Sequence, residues 1–293
     1  MILAPPTIPH GYRFLREGRR EILIRDGYEA RLRRAGLLAP SQLWEKPHQP
    51  SRVSGRGEVL VIPCGRDRVA VRKYRHGGLL RRVTGNLFFF GSRPLQELMA
   101  TEEAGTAGVP TLKILAAIRE RGWGGSYRGY LITAFLPSAI DMIAFLEQSH
   151  ADHERRAVIE KAAAAVKTMH KRGIYHADLH LKNFLVDEAK KSMVYVIDFD
   201  KSTIVSHLNA GRRMKNLMRL DRSAEKMKRH GIPITDREKH IFCHTYATGD
   251  PEIRSVMNIF KERYHWHAVR YRWGWWLASV FYPRHNPWKK SRT

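Results

Sequence analysis

Short runs of β-branched and aromatic residues, separated by glycine-containing turns, dominate the first half of the chain. Two of these runs, Val59 to Ile62 and Val69 to Val71, flank a Gly-Arg-Asp turn around Gly65, which predicts a β-hairpin. A later run, "GYLITAFLPSA", predicts a buried strand that ends at Pro137. The intervening segment predicts a helix from Pro94 to Ala104. This order of elements is typical of a small, mostly β lobe.

After Pro137 the pattern becomes mainly helical. "DHERRAVIEKAAAAVKTMHKRG" has Asp152 as a predicted cap, an acidic first turn, a basic last turn and Gly173 at its end. Two short predicted strands follow, "NFLVD" and "VYVID", and from Leu208 onward the chain is again helical and strongly basic. The pattern predicts an α+β fold with two lobes, a β-rich N-lobe over residues 1–136 and a larger helical C-lobe over residues 137–293. It leaves the structure of residues 1–50 open.

The charge of the chain restricts its partners. Its 293 residues contain 52 Lys and Arg against 28 Asp and Glu, a formal net charge of +24. Such a surface attracts polyanions, among them nucleic acids, acidic lipid head groups and phosphorylated sugars, and charge alone does not choose between these classes.

Cysteine content and apolar segments indicate the compartment. Cys64 and Cys243 are the only two cysteines, so one disulfide is possible but a disulfide framework is not, which suits a reducing cytoplasm. The N-terminus lacks the features of a signal peptide, and the apolar runs "NLFFFG" and "WGWWLASVFYP" are shorter than the roughly 20 residues needed to cross a bilayer. We expect the protein to stay on the side of the membrane where it is made.

The segment "IYHADLHLKNFLVDEAKKSMVYVIDFDKS" contains three groups with the spacing of a phosphoryl-transfer site. His176 to Asn183 match the kinase catalytic-loop pattern H-x-D-L-x-x-x-N, which makes Asp178 the candidate catalytic base and Asn183 a candidate Mg²⁺ ligand. Asp198, at the end of a predicted strand, matches the metal-binding Asp of the D-F-G motif. Solvated loop carboxylates are the alternative, but both motifs occur together in the expected order.

The N-terminal half supplies the remaining parts of an ATP site. Gly55 and Gly57 in "SGRGEVLV" resemble a shortened phosphate-covering loop, although two glycines alone are also consistent with a plain hairpin entry. Strand alternation in "VAVRKY" places Arg72 at the phosphate-binding cation position, with Glu97 of the next helix as its predicted partner. Lys73 with Glu102 or Glu103 is the competing assignment.

These residues together resemble the lipopolysaccharide kinases. The stretches "GRG", "RKYRHGGLL", "HADLHLKNFLV", "IDFDKS" and "NLMRLDRSAEK" carry the likeness over roughly residues 53–230, and it is strongest toward the branch that phosphorylates 3-deoxy-D-manno-octulosonic acid (Kdo). The family shares an Arg at the position of Arg72 and an Asp at that of Asp200, in place of the D-F-G glycine. His180 and Lys182 depart from the pattern, and an A-P-E motif is absent after Asp198.

The resemblance implies a bilobal protein-kinase-like fold and transfer of the ATP γ-phosphoryl group to a Kdo hydroxyl of Kdo-lipid A. ATP and Mg²⁺ are the implied cofactors, and the implied location is the cytoplasmic face of the bacterial inner membrane, where the protein would be peripheral. A basic set of residues follows the metal-binding Asp and would face an anionic leaflet: Arg212, Arg213, Lys215, Arg219, Arg222, Lys226, Lys228 and Arg229. The C-terminal aromatics either enter the membrane interface or pack in the core: Trp273, Trp275, Trp276, Phe281, Tyr282 and Trp288.

Other functions compete with this prediction. A core heptose kinase or an aminoglycoside-type small-molecule kinase would use the same catalytic groups. A nucleic-acid-binding protein is suggested by the net charge, but the sequence has no recognition signature for it. A pseudokinase is disfavoured because Asp178, Asn183 and Asp198 are all present.

Overall fold

The computed structural model describes residues 8–44, 52–53, 59–75, 87–89, 91–190 and 192–258. Gly55 and Gly57, and the aromatic residues of the C-terminal segment, lie outside these ranges. By their contacts, residues 1–246 form one compact unit and residues 247–293 a second, in which residues 251–258 are helical. The division of the chain at residues 136 and 137 stays a prediction.

A seven-stranded antiparallel sheet forms the N-terminal region, in the order β1-β2-β6-β7-β5-β4-β3. Its strands are β1 (Tyr12–Glu17), β2 (Arg20–Arg25), β3 (Arg52–Val53), β4 (Val59–Cys64), β5 (Asp67–Lys73), β6 (Ile114–Arg121) and β7 (Tyr127–Ala134). The predicted hairpin is present as β4 and β5, with Val61 paired to Ala70. The β1–β2 hairpin, which extends the sheet beyond β6, was not predicted from the sequence.

The two faces of this sheet are covered by different elements. Helix α1 (Glu29–Arg34) and the 3-10 helix Pro40–Trp44 lie on one face, where Leu32 and Trp44 pack on a cluster that includes Val69 and Val71 of β5. Helix α2 (Arg93–Thr106) lies on the other face, where Leu95 and Leu98 pack with residues such as Leu131 and Tyr74. Because side chains alternate along β5, Arg72 projects to the face that carries α2.

Helix α2 begins close to β7 at a position that requires glycine. A Cβ at Gly129 would lie 2.9 Å from the Pro94 side chain, within the first turn of α2. The predicted helix from Pro94 to Ala104 is confirmed as α2, with slightly wider bounds.

The C-terminal region is mainly helical and contains two small sheets. Its helices are α3 (Met142–Glu147), α4 (Asp152–Lys171), α5 (Ala210–Arg229) and α6 (Asp236–Ala247). Strands β8 (Ala139–Asp141), β10 (Phe184–Asp187) and β11 (Met193–Val196) form one sheet, and β9 (Ile174–Tyr175) pairs with β12 (Thr203–Ile204) in the other. The predicted strands "NFLVD" and "VYVID" correspond to β10 and β11.

The boundaries of α4 correct one prediction and explain another. Asp152 is the first helical residue and not the cap: Ala151 occupies the cap position, and its N–H is bound by the side chain of Glu154. Gly173 follows the helix in the left-handed conformation, at φ 75°, and its N–H donates to the carbonyl of His170. A Cβ at Gly173 would lie 1.8 Å from the carbonyl oxygen of Val205, so only glycine fits where the chain crosses that segment.

Both cysteines, Cys64 and Cys243, are free thiols. Among the helices that the structure describes, none combines the length and the apolar character that crossing a bilayer demands.

Candidate active site

The predicted catalytic loop runs from β9 to β10 and is fixed by a buried histidine. His176 is fully buried; its Nδ1 accepts from the Asp178 N–H at 3.2 Å, and its Nε2 donates to the carbonyl of Ile197 at 3.0 Å. A backbone N–H can only donate and a carbonyl can only accept, so the ring is neutral with its proton on Nε2. Burial lowers the pKa of His176, consistent with the neutral form.

Asn183 connects this loop to the strand that carries Asp198. Its side chain is buried, and Nδ2 donates to the carbonyl of Asp178 at 2.8 Å. Its own carbonyl accepts from the N–H of Ile197 at 2.9 Å. Because Nδ2 is committed to the loop backbone, Oδ1 is the atom of the amide that is left for a ligand.

Asp198 follows β11 in the left-handed conformation, at φ 65°. Asp tolerates this region better than most residues, and a non-glycine residue held there is often found at a functional site. One carboxylate oxygen accepts from Nη1 of Arg72 at 2.9 Å. Burial opposes ionisation of Asp198, but the charge and the hydrogen bond of Arg72 outweigh it and hold the pKa below its ordinary value. The negative charge of Asp178 has the opposite effect to Arg72 and raises the pKa of Asp198.

Arg72 bridges Asp198 and the buried Glu97 of α2. Its Nη2 is bonded to Glu97, and the hydroxyl of Tyr74 donates to the same carboxylate. Burial raises the pKa of Glu97, against the effect of Arg72, while the two carboxylates help to raise the pKa of Arg72 despite its burial. The predicted Arg72–Glu97 pair is therefore present as an ion pair.

The competing pairing of Lys73 with an acid of α2 differs from what the structure shows. Glu102 accepts from the Tyr12 hydroxyl at 2.8 Å and pairs with Arg25 at 2.5 Å. The amine of Lys73 lies 5.5 Å from the centre of the Trp44 ring, on the opposite face of the sheet from Arg72. Lys73 thus points away from Asp198, as strand alternation predicts.

Asp200, which replaces the D-F-G glycine, joins this assembly through α2. Arg93 at the start of α2 donates to it through both Nε, at 3.0 Å, and Nη2. The guanidinium also lies 5.0 Å from the centre of the Phe88 ring and 5.6 Å from that of Tyr74. The segment that follows Asp198 is therefore tied to the helix that carries Glu97.

Asp178 has a more open environment, and its neighbours were not predicted as partners. Its side chain is 49% exposed, and Oδ1 accepts from Nη1 of Arg219 at 3.0 Å. The same Nη1 donates to the carbonyl of Ala177 at 2.5 Å. Nε2 of His180 lies 3.4 Å from Oδ2 of Asp178. The candidate base therefore lies between a permanent cation and a histidine.

A buried hydrogen-bond network connects the loop to α4, α5 and α6. The side-chain amide of Asn216, on α5, bonds both backbone polar groups of His176. Its oxygen accepts from the N–H at 3.2 Å, and its nitrogen donates to the carbonyl at 2.7 Å. The Asn216 oxygen also accepts from Nε2 of His170 at 3.0 Å, and Nδ1 of His170 lies 2.7 Å from the Tyr246 hydroxyl. Burial lowers the pKa of His170 to about 4. Arg213 donates to Tyr246 at 2.9 Å and is buried, so it does not belong to the exposed basic set predicted for α5.

Comparison with known proteins identifies the family. The lipopolysaccharide kinase (Kdo/WaaP) family profile matches residues 41–246. The chain belongs to this family.

Curated relatives and a solved structure agree with this membership. The 3-deoxy-D-manno-octulosonic acid kinase of Vibrio cholerae is 30% identical over 59% of this chain and 72% of its own length. The kinase of that name from Xylella fastidiosa strain M23 is 26% identical over 78% of this chain and 91% of its own length. A solved structure of WaaP in complex with acyl carrier protein has a TM-score of 0.58 at 20% identity, covering 85% of this chain and 97% of that one. The predicted α+β kinase-like fold is confirmed, and the chain is a phosphotransferase acting on a sugar hydroxyl.

The oxygen donors that this lipopolysaccharide kinase presents fit Mg²⁺. In the described ranges no group of three or more His, Cys, Asp and Glu residues could hold a metal ion. Mg²⁺ commonly binds through one or two protein oxygens and completes its shell with water and substrate phosphates. The carboxylate of Asp198 and Oδ1 of Asn183 are donors of this kind, and both are held in position by the hydrogen bonds described above.

Proposed function

We propose that this kinase transfers the γ-phosphoryl group of ATP to a hydroxyl of Kdo in Kdo-lipid A. The observation that carries the proposal is that hydrogen bonds of Asn183 join the two motifs. Its side chain donates to the Asp178 carbonyl, and its backbone carbonyl accepts from the N–H of Ile197, the residue before Asp198. The relatives named for activity on Kdo, at 26–30% identity, favour this acceptor.

In the proposed mechanism Asp178 orients the acceptor hydroxyl and accepts its proton. Half of its side chain is exposed, so a sugar can reach the carboxylate, while His176 and Asn183 fix its backbone. Asp198 and Asn183 would hold Mg²⁺, which when bound neutralises charge on the transferred phosphoryl group. Arg72, supported by Glu97, is the candidate cation for the nucleotide phosphates, and Gly55 and Gly57 are proposed to cover them.

The same proposal assigns a cellular location to the enzyme and a ligand to each lobe. The N-lobe over residues 1–136 would bind the nucleotide and the C-lobe over residues 137–293 the acceptor. Exposed cations of α5, such as Lys215 and Arg222, would attract the anionic leaflet and keep the enzyme peripheral on the cytoplasmic face of the inner membrane. Each such cation contributes on the order of 1 kcal/mol near the surface.

Mass spectrometry of the acceptor tests this function. Purified protein is incubated with ATP and Mg²⁺ and either Kdo-lipid A or a heptosylated acceptor in detergent micelles. We expect the mass of one phosphoryl group to be added to the Kdo portion, and the addition to require both ATP and Mg²⁺. Transfer to heptose and never to Kdo would overturn the choice of acceptor in favour of a core heptose kinase.

A further inference from the structure

Arg219 of α5 is bonded to the catalytic loop through only one of its nitrogen atoms. Nη1 donates to the Ala177 carbonyl at 2.5 Å and to Oδ1 of Asp178 at 3.0 Å. A guanidinium has five N–H donors, so Nε and Nη2 keep three. Within the part of the chain that the structure describes, neither Nε nor Nη2 of Arg219 makes a hydrogen bond.

The unbonded edge of Arg219 has the geometry to bind a carboxylate, and the side chain as a whole is partly exposed. The side chain is 41% exposed and stands beside a carboxylate that is 49% exposed. The Nε–Nη2 edge of a guanidinium matches the two oxygens of a carboxylate in a bidentate pair. Nη1 is bonded to the loop. The Nε–Nη2 edge is therefore held close to Asp178, at a distance set by the width of one guanidinium group.

An acceptor that places a carboxylate near its reacting hydroxyl would satisfy both groups. Kdo is a sugar acid, so its carboxylate and its hydroxyls lie within the span of a single sugar. We propose that Arg219 is the specificity-determining residue of the acceptor site, binding the acceptor carboxylate through Nε and Nη2 while Nη1 holds Asp178. This inference rests on the proposed function, because it names the chemical feature by which that acceptor is recognised.

The test compares a charged and a neutral acceptor. Wild-type protein, Arg219→Ala and Arg219→Lys are assayed with Kdo-lipid A and with the same lipid carrying its Kdo carboxylate as an amide. For the wild type we expect the amide to lower kcat/KM by roughly 10- to 100-fold, mainly through KM, since hydrogen bonds to charged groups are of that size.

The variants separate recognition from positioning of the base. Arg219→Ala should lose the preference for the acid, whereas damage to Asp178 would lower kcat with both acceptors by the same factor and cancel in the ratio. Arg219→Lys should restore part of the preference, because lysine keeps the positive charge but lacks the paired N–H donors of a guanidinium. Arg156→Ala, which removes an exposed arginine of α4, should keep the wild-type ratio. An unchanged acid-to-amide ratio in Arg219→Ala would overturn the proposal.

A binding measurement keeps this result distinct from failure of the proposed function. Calorimetric titration with free Kdo and its amide is performed on the wild type and on Arg219→Ala. If the wild type phosphorylates heptose only, the proposed acceptor is wrong, but the titration still decides the role of Arg219. Tighter binding of the acid by the wild type alone supports that role; equal binding of acid and amide by the wild type rejects it.

Discussion

The two sides of the candidate site hold their charges in different ways. On the proposed nucleotide side, Arg72 bonds to the buried Glu97 and Tyr74, in a network that also reaches Asp198. On the acceptor side Asp178 and Arg219 are each exposed by more than 40%. Buried ion pairs are costly to break, whereas exposed pairs contribute little to stability. We therefore expect the Arg72–Glu97 network to be coupled to folding, and the exposed Asp178–Arg219 pair to affect chemistry and specificity alone.

The largest effect on activity is expected from Asp178→Ala. Loss of a general base typically lowers the rate by about 10²- to 10⁴-fold. Because the proposed mechanism has Asp178 act on the acceptor and Asp198 hold Mg²⁺, binding of Mg·ATP should stay close to the wild-type value in Asp178→Ala, whereas Asp198→Ala should weaken Mg·ATP binding as well as the rate. Initial rates and calorimetric titration of the nucleotide measure the two effects. Equal turnover of Asp178→Ala and wild type would show that the catalytic assignment is wrong.

Glu97→Ala should have the largest effect on stability. It leaves the Arg72 guanidinium without its buried partner, and breaking such a pair typically costs about 3–5 kcal/mol. The free energy of unfolding, measured in urea, should fall by this amount, and nucleotide binding should weaken with it. Glu103→Gln, at an exposed position of the same helix, is the matched control and should change neither quantity. A stable Glu97→Ala variant with normal nucleotide binding would remove the distinction between the two sides.

The buried neutral His170, in the network that holds the catalytic loop, should make folding sensitive to acid. Burial lowers the pKa of His170 from 6.5 to about 4, so between these values the unfolded chain binds a proton that the folded chain does not. Stability is therefore full above about pH 6.5 and is lost as the pH falls toward 4, by about 3 kcal/mol in total from this group. His176 adds to the loss in the same direction.

His170→Gln removes this titration and keeps a side chain that can both accept and donate. Urea unfolding between pH 4.5 and 7.5 should show a shallower decrease of stability in the variant than in the wild type. The same substitution at the exposed His153 should leave the wild-type slope unchanged. Identical slopes for His170→Gln and wild type would mean that His170 does not titrate as the geometry requires.

Much of the site was predictable because it lies within local sequence patterns. Alternation along one strand separated Arg72 from Lys73, and the spacing of the loop motif selected Asp178 and Asn183 as candidates, which the structure joins by a hydrogen bond. The partners of these residues were harder to predict, because Arg219 and Asn216 reach the loop from α5, which lies about 40 residues further along the chain. One signal was present: Arg213 and Asn216 share a helix face with Leu217 and Leu220, and polar residues on a buried face require partners.

The N-terminal hairpin was missed for a different reason. Its strands β1 and β2 are short and rich in arginine, and only β2 has a continuous buried run, at Ile22 to Ile24. Their place in the sheet depends on pairing with β6, which is about 95 residues away in the chain. Local patterns do not contain such long-range pairing.

The smallest effect is expected at the ion pair between the start of α2 and the segment that follows Asp198. Arg93 and Asp200 are about one-fifth exposed, and their bond ties the segment after Asp198 to the start of α2. Arg93→Ala and Asp200→Ala should each lower the transfer rate by less than tenfold, and the double variant should be no worse than either one. A double-mutant cycle on the free energy of unfolding should give a coupling energy of about 1 kcal/mol. Strictly additive losses would show that the two residues act independently and that this pair does not couple α2 to the segment after Asp198.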